Sequence, residues 1–350
     1  MRFTLFCVSF NLINMNRIFV FGISIISILL FNSCGKSKRF EIDTTKDTYK
    51  VKIHRFDKDI IQLDTIQLAT SVDSLYAHYK EFLPVFNDNI LGITDSDTLA
   101  VQNQLLNFLS DSTFSPVNRK VLKTFEDISD IENTVSESFT YIHHYFPEVT
   151  LPEVYFFVSG FNRSVILNDK FIAFGTDMYL GSNYKPYKEL TYKYMLNNMR
   201  RECIATDIVS TTLFRMFIMN SSENRLIDNM IFRGKVMYLL SVFIPNEKPE
   251  DLMGYTPEQW SWSTKFEKDI WMTIIDKKDL FSTDMLLIRK YMNEAPFTAP
   301  ISQESPGRLG TWIGWRIVES YMNKNTTLSL KELMDENNAQ KILENSGYKP

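Results

Sequence analysis

From Glu153 to Gly181 the sequence reads EVYFFVSGFNRSVILNDKFIAFGTDMYLG, and no other stretch of the chain is built like it. Val, Ile, Phe and Tyr gather in short runs, separated by the turn-forming pairs Ser159-Gly160 and Asn168-Asp169. Such side chains suit a pleated surface, and turn signals this close leave only short strands. Two or three antiparallel strands are the expectation. On either side the period is helical. Ile128, Ile131, Val135, Phe139, Ile142 and Phe146 recur every three or four residues, which aligns them on one stripe, and Pro147 stops the pattern. Shorter helical patterns lie near 66–82, 98–109 and 114–125, and helical spacing resumes at about Tyr187 and runs almost to the end. The chain therefore reads as α+β, mostly helical with a small antiparallel sheet.

The N-terminus answers to a different constraint. Phe21–Cys34 (FGISIISILLFNSC) is the most apolar stretch of the chain. The run from Ile18 to Phe31, nearly all Ile, Leu, Phe and Val, falls short of the ~20 residues that a bilayer-spanning helix needs, and it follows a basic residue. It reads as a signal-peptide core. Ser33 directly before Cys34, with Leu29, Leu30 and Phe31 upstream, resembles a bacterial lipobox, in which the cysteine sulfur is acylated and the peptide is cut before it. An uncleaved N-terminal anchor is the alternative. A start at Met15 would give a compact signal with Arg17 ahead of the apolar core. The expected organisation is a signal peptide over 1–33, a lipidated N-terminus and polar tether over 34–50, and one domain over 51–350, with no repeat or Pro/Gly-rich linker to divide it.

Charge and cysteines narrow the function further. The chain has 38 Lys+Arg and 42 Asp+Glu; Arg2 and Arg17 leave with the signal, so the mature balance is 36 against 42, or −6. No basic stripe marks a nucleic-acid partner. With Cys7 removed and Cys34 acylated, Cys203 stands alone, and no internal disulfide can form. It sits among apolar helix positions and reads as a buried small hydrophobe.

A search for chemistry yields little. The histidines are His54, His78, His143 and His144; none lies four residues from another, and the adjacent pair points about 100° apart on its helix. There is no HExxH, no G-x-S-x-G and no glycine-rich phosphate loop, so no metal, cofactor or nucleophilic site is expected. Glu202 and Asp207 are five residues apart and read as solvated surface.

One stretch stands apart: Ser305–Met322, SPGRLGTWIGWRIVESYM. Gly310 and Gly314 share a helix face, while Trp312, Ile313, Trp315, Ile317, Val318 and Tyr321 cover nearly every other side, as in a helix buried all round. Two interior glycines cost roughly 1 kcal/mol each against alanine. A closely packed backbone or a bound ligand must offset that. Arg308 and Arg316 are the polar exceptions and are expected to carry ion pairs. Arg308, Gly310, Trp312, Gly314, Trp315 and Tyr321 are thus a candidate packing or partner face.

At this stretch the sequence resembles the gliding-motility lipoprotein GldB family of the Bacteroidota. VKIHRFDKDIIQLD (Val51–Asp64) is similar to the family's opening, FIAFGTDMYLG (Phe171–Gly181) to its strand segment, and NSGYKP (Asn345–Pro350) to its ending. The resemblance implies a cell-envelope lipoprotein, anchored by membrane lipid on Cys34, that serves gliding motility and type IX secretion alongside other envelope proteins. The basic GKSKR after Cys34 lacks the acidic run that resembles a surface-export signal, and so points to a periplasm-facing anchor. A sheet followed by a helix also resembles zincin-type peptidases. The corresponding helix, Met199–Phe217, has no histidine, so any such fold would be degenerate and without catalysis. A non-catalytic envelope component is the leading expectation. A small-ligand-binding lipoprotein with an apolar pocket beside Gly310 and Gly314, or a peptidase-related enzyme, are the alternatives.

Overall fold

The computed structural model describes residues 38–45, 48–93 and 98–350. The expected signal peptide and the lipidation site at Cys34 lie outside the described residues. By contact the chain divides into Met1–Asp43 and Thr44–Pro350. In the first unit, Lys38–Phe40 form a 3₁₀ turn.

In the second unit, α1 (Phe56–Ile61), α2 (Leu68–His78), α3 (Leu83–Phe86), α4 (Thr98–Ser110), α5 (Ser115–Thr124) and α6 (Ser129–Tyr145) precede the sheet. The strands are β1 (Glu153–Phe157), β2 (Val165–Leu167) and β3 (Phe171–Gly175). Then come α7 (Tyr187–Leu190), α8 (Cys203–Met216), α9 (Leu226–Phe243), α10 (Pro249–Met253), α11 (Pro257–Lys265), α12 (Glu267–Asp276), α13 (Met285–Met292), α14 (Leu309–Lys324), α15 (Leu330–Asp335) and α16 (Ala339–Ser346). The class is α+β with helix dominant. No described helix is long and apolar enough to cross a membrane.

α6 follows from its spacing. Ile131, Val135, Phe139 and Ile142 are buried along its stripe, Asp130 and Glu132 sit in its first turn, and His143 and His144 in its last. Both histidines are exposed. A second, polar stripe holds the incoming chain. Tyr49 N donates to Thr140 Oγ1 at 2.9 Å, Val51 N to Ser136 Oγ at 3.0 Å and Ile53 N to Glu132 Oε1 at 2.9 Å. An extended segment thus runs down α6 with its N–H groups satisfied by side chains. His54 then bridges Tyr155 in parallel and extends the sheet.

The sheet departs from the antiparallel expectation. Its order is β1-β3-β2, with β1 parallel to β3 and β2 antiparallel to β3. Asn168 closes the β2–β3 hairpin, its Oδ1 accepting from Lys170 N at 2.8 Å and Phe171 N at 2.9 Å. Ser159-Gly160 makes no hairpin. Asp177, at the end of β3, draws the chain away by accepting from Ser159 N at 3.0 Å and Phe161 N at 2.7 Å. β2 therefore returns on the far edge. All of β3 and all of β1 beyond Glu153 are buried, as a parallel pair covered on both faces requires.

The zincin-like alternative is not supported. α8, the helix after the sheet, carries Cys203 and Asp207 and no histidine. Among the described residues no group of three His, Cys, Asp or Glu side chains is arranged to hold a metal ion.

Candidate functional site

α14 crosses α9 at its glycines. A Cβ on Gly314 would lie 1.8 Å from Met230 O, and one on Gly234 would lie 2.3 Å from both Gly314 C and Gly314 O. The two backbones are in direct contact there, which no side chain could permit. Gly310 faces α13 instead, where an added Cβ would meet Met292 Sδ at 2.5 Å and Tyr291 O at 3.1 Å. Trp312 and Trp315 turn to α11, with ring centroids 6.2 and 5.9 Å from Trp260. Tyr321 is buried two turns further on, in the field of Glu336, Lys341 and Glu332. The candidate residues of this helix therefore meet several different neighbours.

Arg308 leads from the helix to a partly buried charged cluster. Its backbone is left-handed (φ 59°), uncommon for a residue with a Cβ. The α14 cap comes from elsewhere: Thr298 Oγ1 accepts from Leu309 N at 3.2 Å. Released from capping, the Arg308 guanidinium donates to Met253 O and pairs with Glu294 at 3.5 Å. Arg233 of α9 stands near both, donating to Met292 O at 3.2 Å. Burial, aided by Arg308, lowers its pKa.

Asp207 belongs to the same cluster. The residue keeps some exposed surface, but its carboxyl group is enclosed and accepts from the Tyr179 hydroxyl at 2.8 Å. Burial pushes this carboxyl up to about 6, although Tyr179 and Arg308 pull it down. Burial, then the charge of Asp207, drives the Tyr179 hydroxyl well above its ordinary value. Four residues back, burial pushes the Cys203 thiol up to about 11. It is a neutral thiol at physiological pH, partly exposed rather than fully buried, and a poor nucleophile.

A second enclosed acid stands two residues before Tyr179. Asp177 accepts from Ser159 Oγ at 3.0 Å as well as from the two backbone N–H groups. Burial raises its pKa. The Tyr187 hydroxyl donates to Asp177 O at 2.5 Å and accepts from Leu180 N at 2.9 Å. These bonds fasten the ends of β1 and β3 to the chain that leads into α8. The serine has an acid partner and no described histidine beside it, so the pair is not arranged as an activated nucleophile.

Strain also concentrates at the start of α14. Besides the conformation of Arg308, Thr311 Oγ1 and Trp312 Nε1 are buried without a hydrogen-bond partner among the described residues. Costs of this kind persist where function or unusually tight packing requires them. A polar cleft of about 570 Å³ opens further along α14, beside Arg316, Glu267, Lys268 and Tyr348. Arg316 pairs there with Glu267 at 3.3 Å and with Glu319. The space beside Gly310 and Gly314 is filled by α13 and α9, so no apolar pocket lies against them.

The spacing of Glu202 and Asp207 predicts solvated surface for both, and the structure corrects this for Asp207, whose carboxyl is enclosed. A signal existed: Asp207 is three residues from buried Ile204 and adjacent to buried Ile208, on a helix whose only other charged residue is Arg215. Glu202 is exposed, as its sequence context predicts. Nothing local in Tyr179, Arg233 or Glu294 announced their convergence.

A family model described as gliding motility protein GldB matches residues 37–350. No curated protein and no solved structure matches the chain.

Proposed function

The chain belongs to the gliding motility protein GldB family, and on that premise we propose that it is a non-catalytic cell-envelope lipoprotein serving gliding motility and type IX secretion. The observation that carries the proposal is the extent of the family match, which begins three residues after Cys34 and runs to Pro350. In this reading 1–33 is a signal peptide, Cys34 carries the lipid, and the remainder faces the periplasm and engages other envelope proteins. The enclosed acids support the non-catalytic part. Asp177 and Asp207 are engaged by backbone N–H groups, Ser159 and Tyr179, an arrangement suited to fastening elements together.

The test is replacement of the native gene by two variants. Cys34→Ser removes the acylation nucleophile, and the described residues hold no other membrane-spanning helix. Palmitate labelling, spreading of colonies and release of secreted cargo should all be lost. Asp207→Asn should keep all three. Normal labelling of Cys34→Ser would sink the anchor. Loss of gliding in a normally folded, normally anchored Asp207→Asn would favour an enzyme.

A further inference from the structure

We propose that the stretch Phe214–Met219, where α8 ends, lies against the anionic surface of the bilayer that holds the lipid anchor. The inference rests on the lipid-anchored reading and adds which part of the Thr44–Pro350 unit meets the membrane. Phe214 is 42% exposed and Ile218 86% exposed, and Arg215, Met216, Phe217 and Met219 all keep exposed surface. Of the five large apolar side chains in these six positions, two are exposed and three are half-buried, around one arginine. Phe232 of α9, also partly exposed, adjoins them with its ring centroid 6.2 Å from that of Phe214. Single exposed apolar residues are ordinary on a protein surface, but a contiguous run marks an interaction site.

The position of this run identifies its occupant. The Phe217 ring lies 5.2 Å from that of Phe146, at the C-terminal end of α6. The incoming chain meets the same end, where Tyr49 N bonds Thr140 and the Tyr49 ring lies 6.0 Å from that of His143. Tyr49 follows Cys34 by fifteen residues, which fully extended reach at most about 50 Å. An acyl chain on Cys34 therefore ties the Thr44–Pro350 unit to the bilayer through the segment that enters at this end of α6. Exposed apolar and aromatic side chains with a flanking arginine are suited to such an interface: the apolar groups enter the headgroup boundary, and Arg215, which donates to Asp169 O and keeps part of its surface exposed, adds positive charge beside them.

The experiment uses the full chain, purified from envelopes and reconstituted into phosphatidylcholine vesicles containing phosphatidylglycerol. In a Cys203→Ser background, a polarity-sensitive fluorophore is placed at Ile218→Cys or at Ser129→Cys. Ser129 is exposed at the other end of α6, about 24 Å away along a 17-residue helix. The probe at 218 should shift to the blue, be quenched by a lipid-borne nitroxide, and resist iodide several-fold better than the probe at 129. Equal iodide quenching at both positions in acylated protein overturns the proposal. So does a blue-shifted 218 probe that ignores the lipid-borne quencher, which would mean a second copy covers the stretch. A 218 probe that is aqueous in vesicles but shielded in whole envelopes would mean a protein partner, and also overturns it. The mass of the N-terminal peptide from the same sample reports acylation. Unacylated protein that stays off the vesicles overturns the anchor itself, and this proposal with it.

Discussion

A methyl group on Gly314 would sit 1.8 Å from Met230 O and 2.5 Å from Met230 C, and a backbone cannot rotate aside as a side chain can. Alanine would gain roughly 1 kcal/mol of helix propensity. Overpacking typically costs ~1–3 kcal/mol, and a clash with backbone belongs at the upper end. Gly314→Ala should therefore unfold at lower urea with an unchanged slope, by about 2 kcal/mol net. Gly310→Ala should cost less, because its nearest obstacle is Met292 Sδ, at the mobile end of a side chain. A Gly314→Ala protein as stable as the parent would mean that α9 and α14 do not cross at this point. Asp207 sets a pH dependence at the same scale. Its carboxyl titrates at about 6 when folded, against about 3.9 for an exposed aspartate. The raised value means that the folded state holds the proton more tightly. This contribution to stability is fully present below pH ~4 and is lost as pH rises through 6. The size is on the order of 2–3 kcal/mol. Asp207→Asn keeps an acceptor for Tyr179 and removes the titration. Urea unfolding at pH 4.5 and 7.5 should show the parent losing stability relative to the variant at the higher pH. Identical pH dependence in both would contradict the enclosed carboxyl.

Elements here are held by their ends as much as by their faces. α15 has six residues, far too few to stand alone. Ser329 Oγ accepts from Glu332 N at 3.1 Å, and Glu332 Oε2 accepts from Ser329 N at 2.8 Å, a reciprocal cap. At the other end Lys235 of α9 donates to Glu336 O at 2.5 Å, where a cation suits the helix dipole. Ser329→Ala should cost about 1 kcal/mol in denaturant unfolding, and no measurable loss would mean that Lys235 suffices. The sheet shows how far local reading extends. The β2–β3 hairpin was legible, because Asn168-Asp169 is a turn that its own neighbours complete. The parallel pairing of β1 with β3 was not. Strands of five residues carry no mark of direction, and the side chain that bends the chain after β1 is Asp177, eighteen residues after Ser159. Likewise the 3–4 spacing of apolar residues announced α6, while its polar stripe of Glu132, Ser136 and Thr140 acquires meaning only when Tyr49–Ile53 lies along it.

At the scale of the whole molecule, stability should not depend on metal. No three His, Cys, Asp or Glu side chains are grouped to hold an ion among the described residues, so a chelator should leave the thermal midpoint of the purified protein where it was. A fall of several degrees would reveal a site. The sequence by itself determined the α+β class, the periods and ends of α6, the hairpin turn, and the density of apolar residues around the α14 glycines. These are local: period, turn chemistry and side-chain volume act between residues a few positions apart, and they read the same before the chain folds. The family too was legible, because motifs such as SPGRLGTWIGWRIVESYM lie within single segments. Only the tertiary structure decided which backbone Gly314 touches, which way β1 runs beside β3, and that Asp207, Tyr179, Arg308, Arg233 and Glu294 meet. Those side chains come from α8, α9, the residue just before α14, and the segments after β3 and α13. Their energies depend on burial and on charges brought from distant positions, and neither exists until the helices have packed.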